Sequence, residues 1–359
     1  MALNRTAIVG SRADELEIDL QYTFMMDDLG EVLSEILCTT GVILNGTLIT
    51  LILTHTPKPM RSYAVLLFNF ALFDLLTCIA SFFACQKTIF SDLALTYIFH
   101  GPCRYISPFF CYFCHCFVCH AMAHSQWILI TSFYYRYRIL VKEQPTVKQV
   151  VALTLIFYSF SFFILILYSF DVGDSNELKQ IMYRLHPEYH YEDESIWGGN
   201  TTILSFATSF TILYMTFPCV PIYAAIHHYR HQTLKILGGN ALEMSEATRK
   251  SHKKMIKALT IQAMIPIFWL IASAIFTSVE FKLIPSGPFL ENITFRLMDC
   301  FPTCSPLVSL YFIAPYRKGL LGYWSKLTCR KQNAVVDAVV SVSGATNQND
   351  KAKEIADLA

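Results

Sequence analysis

Apolar residues dominate seven stretches of the chain, at about 32–54, 63–84, 104–135, 148–170, 200–226, 256–279 and 293–314, and polar residues collect between them. A hydrocarbon core about 30 Å thick is crossed by about 20 helical residues, so each stretch is long enough to span a bilayer. The pattern predicts an all-α, polytopic membrane protein built as a seven-transmembrane helix bundle. Residues 1–30 form an N-terminal segment and 31–315 the membrane domain. After the last stretch, Leu320, Leu321, Trp324 and Leu327 recur at helical spacing, which predicts a short interfacial amphipathic helix over 316–330. Residues 331–359 are polar and are expected to be a disordered cytoplasmic tail. No internal repeat and no soluble catalytic domain is visible.

Composition agrees, since 54% hydrophobic against 15% charged residues is too apolar for a soluble protein of 359 residues. The net charge of +1 is uninformative, but its distribution orients the chain. Lys and Arg number two in the first loop (Lys58, Arg61), four in the third, seven in the fifth and seven in the tail. The N-terminal segment and the second, fourth and sixth connections hold two each. Twenty therefore fall on one side and eight on the other. The positive-inside rule puts the N-terminus outside and the C-terminus in the cytoplasm, as expected of a multi-pass plasma-membrane protein. Residues 1–30 are acidic and lack an apolar core, so the first span is expected to target the chain. Asn4-Arg5-Thr6 is then a glycosylation sequon on the outer side, either used or fortuitous. Cys329, beyond the tail helix, is either a palmitoylation site or a free thiol.

Candidate chemistry lies inside the spans. The third contains Cys111-Tyr-Phe-Cys114-His115 and Cys116-Phe-Val-Cys119-His120, two C-x-x-C-H patterns of the kind that attach haem or bind zinc. At about 100° per residue those cysteines scatter around the helix. Only Cys116, Cys119, His120 and His124 share a face. The run therefore reads as tight helix packing, with no cofactor and no metal. Cys103 precedes the third span and can form a disulfide; Cys85, at the end of the second, is the nearest candidate by topology.

An ionisable group at mid-membrane is expensive and calls for a partner or a function. Asp74 is such a group, with Asn45 in span 1 and Ser305 and Ser309 in span 7 as candidate neighbours. It is either a neutral, hydrogen-bonded acid or the centre of a polar switch. Arg296 and Asp299 share a face of span 7 at i, i+3. They either pair with each other or line an outward-facing ligand cavity with Tyr105, Phe109 and Tyr112. Prolines in spans 3, 5, 6 and 7, among them Pro266 and Pro306, mark sites of kinking.

Several stretches carry a family resemblance. They are Thr56-Pro-Lys-Pro-Met-Arg-Ser-Tyr63, Leu67-Phe-Asn69-Phe-Ala-Leu-Phe-Asp74, Gly101-Pro-Cys103, Ser132-Phe-Tyr-Tyr-Arg136-Tyr-Arg-Ile-Leu140 and Tyr311-Phe-Ile-Ala-Pro315-Tyr316-Arg317. Together they resemble nematode seven-transmembrane chemosensory receptors, most closely serpentine receptor class delta, over about 30–330. The resemblance implies a G-protein-coupled receptor of a sensory cilium. Its partners are a small-molecule ligand, a heterotrimeric G protein and membrane lipid, with no nucleic acid. Arg136 stands where the wider receptor class has its inner arginine, but Tyr135 precedes it in place of an acid. Ser305-Pro306 stands where that class has Asn-Pro, and the long external loop lacks a cysteine. On this reading Asn45, Asp74, Arg136, Pro266, Ser305 and Pro306 form the switch. Arg136, Arg138, Lys254 and Arg317 contact the G protein. The rival is a ligand-gated channel or transporter with seven spans; a membrane enzyme is not expected, for want of a nucleophile–base pair.

Overall fold

The computed structural model describes residues 2–187, 196–239 and 245–325, with 2–20 and 247 described by backbone alone. Asn4 falls among the latter, and Leu327, Cys329 and 331–359 lie outside the described residues. Among the described residues the fold is a helical membrane bundle with one small sheet. In chain order it comprises α1 (Ala2–His55), α2 (Arg61–Ala84), β1 (Gln86–Ser91), β2 (Ala94–Phe99), α3 (Pro108–Val141) and α4 (Val147–Ser169). These are followed by α5 (Ser175–Leu185), β3 (Ile196–Asn200), α6 (Phe206–Thr216), α7 (Cys219–Gly238), α8 (Glu246–Gln262), α9 (Ile267–Glu280), α10 (Pro288–Phe312) and α11 (Ala314–Ser325).

Among the described residues five units are long and apolar enough to cross a membrane: Gln21–His55, Lys58–Ala84, Val147–Ser169, Phe206–Gly238 and Thr248–Glu280. Pro288–Phe312 qualifies together with Ala314–Ser325, from which it is bent by 93°. α3 has the length, at 34 residues, but too polar a composition to pass as a lone span. The reason is its position: α2, α4, α6, α7 and α8 pack around it. A helix walled by protein can carry buried His, Ser and Gln that lipid would not accept.

The ends of the elements follow from local chemistry. Thr146 and Gln149 form a reciprocal capping box at the start of α4, and Ser107, Asp174, Ser205 and Ser245 cap α3, α5, α6 and α8. Pro218 separates α6 from α7 and Pro266 separates α8 from α9, because proline lacks the N–H the helix ladder needs. Around Pro266 the chain tightens, with Ile267 N–H bonding Met264 O and Phe268 N–H bonding Ile265 O. Pro302 and Pro306 lie inside α10 without ending it. α11 is anchored by Tyr316, whose hydroxyl meets Thr56 Oγ1 at 3.0 Å.

The sheet is the element that hydropathy did not reveal. Its strands run antiparallel in the order β1-β2-β3, with Gln86 opposite Phe99 and Leu95 opposite Asn200. It closes the end of the bundle opposite Arg136. Its side chains are buried on both faces, so no apolar/polar alternation marks the strands. The β1–β2 turn is Asp92-Leu93 with φ of 44° and 67°, a geometry usually built with glycine or asparagine. Its backbone is held instead by neighbours: Glu280 accepts from Leu93 N–H, and Ile203 N–H bonds Leu93 O at 2.8 Å. β3 is pinned by Asn200, which bonds Tyr112 of α3 and Tyr168 of α4.

Candidate functional site

Beneath the sheet lies a cavity of about 350 Å³, within the usual range for small-ligand sites of about 300–1,000 Å³. Thr88, Leu95 and Tyr97 of the sheet roof it, and α3, α6, α9 and α10 wall it. Its lining is mainly apolar and aromatic, with His115, Thr211, Thr294 and Glu280 among the polar groups. Tyr97 packs on His115 with ring centroids 4.3 Å apart and edge-on against Phe295 at 5.6 Å. His115 Nδ1 lies 3.0 Å from Gln86 Oε1.

Trp269 stands at the deep end of this cavity, one turn beyond the Pro266 break. It also borders a second, smaller void of about 20 Å³, with Gln126, Gln262, Pro266 and Ser305, roomy enough for one water. Trp269 is thus in contact with both spaces.

The polar centre of the bundle gathers most of the expected switch residues. Asp74 is buried on α2 beside Ser305 of α10, and its Oδ2 has no hydrogen-bond partner among the described residues. Asn45 donates to Pro302 O at 3.0 Å and to Gly41 O at 2.9 Å. Gln262 donates to Ser309 at 3.1 Å. Pro306 is buried in the same helix. Arg136 stands apart, at the opposite end of the bundle from the sheet. Its guanidinium lies over the Tyr63 ring at 3.6 Å, an arrangement that holds a cation without a carboxylate. Tyr135, in the place of the usual acid, packs on Tyr63 at 5.5 Å. Arg136 Nε and Nη2 are buried without hydrogen-bond partners among the described residues. Arg138 and Arg317 are half-buried and Lys254 is exposed at the same end.

The five residues expected to line the cavity do not do so. Tyr105 and Phe109 face outward, 77% and 51% exposed, because the turn at Pro102–Tyr105 brings the chain into α3 from the outside. Tyr112 turns to Asn200 and β3. Arg296 and Asp299 do pair, at 3.6 Å, but they face α1 and β1. Arg296 donates to Gly30 O and Gln86 O at 2.9 and 2.8 Å, and Asp299 accepts from Ser34 at 3.2 Å. The disulfide expectation is also corrected. Cys103 bonds Cys111, with Cα atoms 5.1 Å apart. The same turn lays Cys103 on the first turn of α3, whereas Cys85 takes a contact from Arg296 at 3.7 Å.

Sequence reasoning also missed a buried ion cluster beside the cavity's roof. Lys87 Nζ of β1 meets Asp27 of α1 at 2.8 Å and Glu291 of α10 at 3.2 Å, and Asn292 donates to Asp27 at 2.7 Å. A carboxylate at the edge of an apolar span, Glu291, was the available signal. The residues of the third-span run are spread over different partners: His120 meets Ser161 O at 2.8 Å and His124 meets Asn69 at 3.0 Å.

Comparison with known proteins agrees with the architecture. Residues 30–322 match the family of serpentine type 7TM GPCR chemoreceptors, Srd. Serpentine receptor class delta-1 of Caenorhabditis elegans is 59% identical over 346 residues, covering 95% of this chain and 91% of the relative. Class delta-2 of the same organism is 55% identical over 309 residues, covering 84% and 85%. Class delta-3 is 46% identical over 327 residues, covering 89% and 94%. These proteins form a receptor family, not an enzyme family. A bundle of membrane helices around a polar central helix, matched along nearly its whole length, makes this chain a member of the Srd family of serpentine seven-transmembrane chemoreceptors.

Proposed function

We propose that the chain is a ligand-activated, G-protein-coupled chemosensory receptor of the plasma membrane, sited in a sensory cilium as the family suggests. The sheet end faces outward and the basic end of α8 faces the cytoplasm. A small ligand occupies the cavity beneath the sheet. It favours a state in which α8 swings about the Pro266 break and opens a groove at Arg136, Arg138, Lys254 and Arg317 for a heterotrimeric G protein. A ligand shifts such an equilibrium only through its different affinities for the two states. The observation that carries this reading is Trp269, which borders the cavity on one side and the Pro266–Ser305 void on the other. Occupancy of the cavity thereby bears directly on the hinge. The 20-to-8 division of basic residues supports the orientation.

The test is expression in cells that report second messengers and membrane current together, challenged with a panel of small apolar compounds. The expected result is a second-messenger response that disappears when G proteins are blocked and in Arg136→Ala. A current that persists under the block would instead identify a ligand-gated channel. An Arg136→Ala variant that reaches the surface and signals normally would remove Arg136 from the coupling face.

A further inference from the structure

Glu280 is the one Asp, Glu, Lys or Arg among the described residues that line the cavity. It sits in the last turn of α9, where the helix dipole disfavours a carboxylate. One oxygen is engaged by the Leu93 N–H. The other, Oε2, is buried and has no hydrogen-bond partner among the described residues. An acceptor left in that state carries its full desolvation cost. The neighbouring cation, Lys282, is shared with Asp92, which it meets at 3.2 Å. Lys282 and Asp92 carry opposite charges, which leaves Glu280 as the acid on the cavity side of the rim. The aromatic rings of Tyr97, Phe276, Phe281 and Phe295 line the same cavity. A carboxylate with a vacant acceptor, set in an aromatic wall, is the pairing that recognises an organic cation.

We infer that the ligand is a small apolar amine bound as its ammonium ion, with the charged nitrogen on Glu280 Oε2 and the hydrocarbon body directed toward Trp269. The inference rests on the cavity being the ligand site. An ammonium supplies the missing donor, neutralises the rim and gains from the rings. An alcohol supplies only a neutral donor, and a carboxylate of the same skeleton is repelled.

The experiment uses the full chain in lipid nanodiscs and three skeletons, 2-phenylethyl, 2-cyclohexylethyl and n-octyl, each as amine, alcohol and carboxylate. Binding is read by calorimetry and by thermal shift. For the skeleton that fits, the amine is expected to bind at least about tenfold more tightly than its alcohol, since charge-assisted hydrogen bonds are roughly twice as strong as neutral ones. The carboxylate should bind most weakly. Glu280→Gln retains an oxygen for Leu93 N–H, so the variant should fold. It should bring the amine down to the level of the alcohol and leave the alcohol unchanged. Ala272→Phe fills the cavity and should abolish binding of both. An alcohol that matches its amine, yet is lost in Ala272→Phe, overturns the amine assignment and leaves the cavity as the ligand site. An amine preference that survives Glu280→Gln overturns the role of Glu280. Binding that survives Ala272→Phe, or no saturable binding by any of the nine compounds, overturns the cavity reading and the amine assignment with it.

Discussion

Lys87→Met puts the ion cluster at the sheet end to the test. Lys87 Nζ is 2.8 Å from Asp27 and 3.2 Å from Glu291, and its side chain is 1% exposed. At an effective dielectric of about 20 each contact amounts to about 5–6 kcal/mol of attraction, most of it offset by desolvation. Removing the cation takes an ion-pair partner from both buried carboxylates, and breaking a buried pair costs about 3–5 kcal/mol. The strand, α1 and α10 lose their common tether together. For the purified protein in nanodiscs this corresponds to a fall in Tm of roughly 5–15 °C, readable by tryptophan fluorescence. The triple variant Lys87→Met, Asp27→Asn, Glu291→Gln removes all three charges and keeps an oxygen at position 27 for Asn292. It should recover most of the loss, since a buried ion pair adds little over neutral groups that pack equally well. A single variant that unfolds with the wild type, or a triple variant no better than the single, would refute the reasoning.

Further outcomes follow from other contacts. Peptide mapping under non-reducing conditions should find Cys103 joined to Cys111, unchanged in Cys85→Ala, and loss of the bridge in Cys111→Ala should lower stability by about 2–3 kcal/mol. Gly41→Ala places a methyl 2.3 Å from Cys78 Sγ and should destabilise the α1–α2 contact by about 1–3 kcal/mol in thermal unfolding. Gly46→Ala on the same helix meets nothing within 4 Å and should be neutral or stabilise by up to about 1 kcal/mol. Asp74→Asn keeps a polar group of the same shape at this buried site and should express at the wild-type level. Asp74→Leu removes that polar group from beside Ser305 and should lower surface expression, corresponding to about 1–3 kcal/mol.

The residues that could be read directly were those whose chemistry is set by lipid. Long apolar runs, loop charge and prolines 218 and 266 predict helices, orientation and breaks without knowledge of neighbours. Lipid imposes one environment along each span, so periodicity there has one meaning. The motifs around Arg136 and Pro315 pointed to the family in the same local way. Asn45, Asp74 and Ser305 were also recognisable, because a polar group at mid-membrane must find another. A cavity was expected behind Tyr105, Phe109, Tyr112, Arg296 and Asp299, and none of the five lines the one beneath the sheet. Tyr105 and Phe109 have the right composition, but the turn at Pro102–Tyr105 rotates them outward.

Which side of a helix faces a cavity depends on how the chain enters that helix, and this is decided by contacts far apart in sequence. Glu280 meets the sheet only because Leu93, nearly two hundred residues earlier, folds onto it. Cys103 looked available to Cys85 until a turn carried it to Cys111. The two β1–β2 turn residues, Asp92 and Leu93, tolerate positive φ because Glu280 and Ile203 hold Leu93 there, a stabilisation no local propensity records. Apolar runs therefore determined that the chain is a membrane bundle. Only packing settled what its sheet end encloses, because a cavity is defined by the several elements around it and by none of them alone.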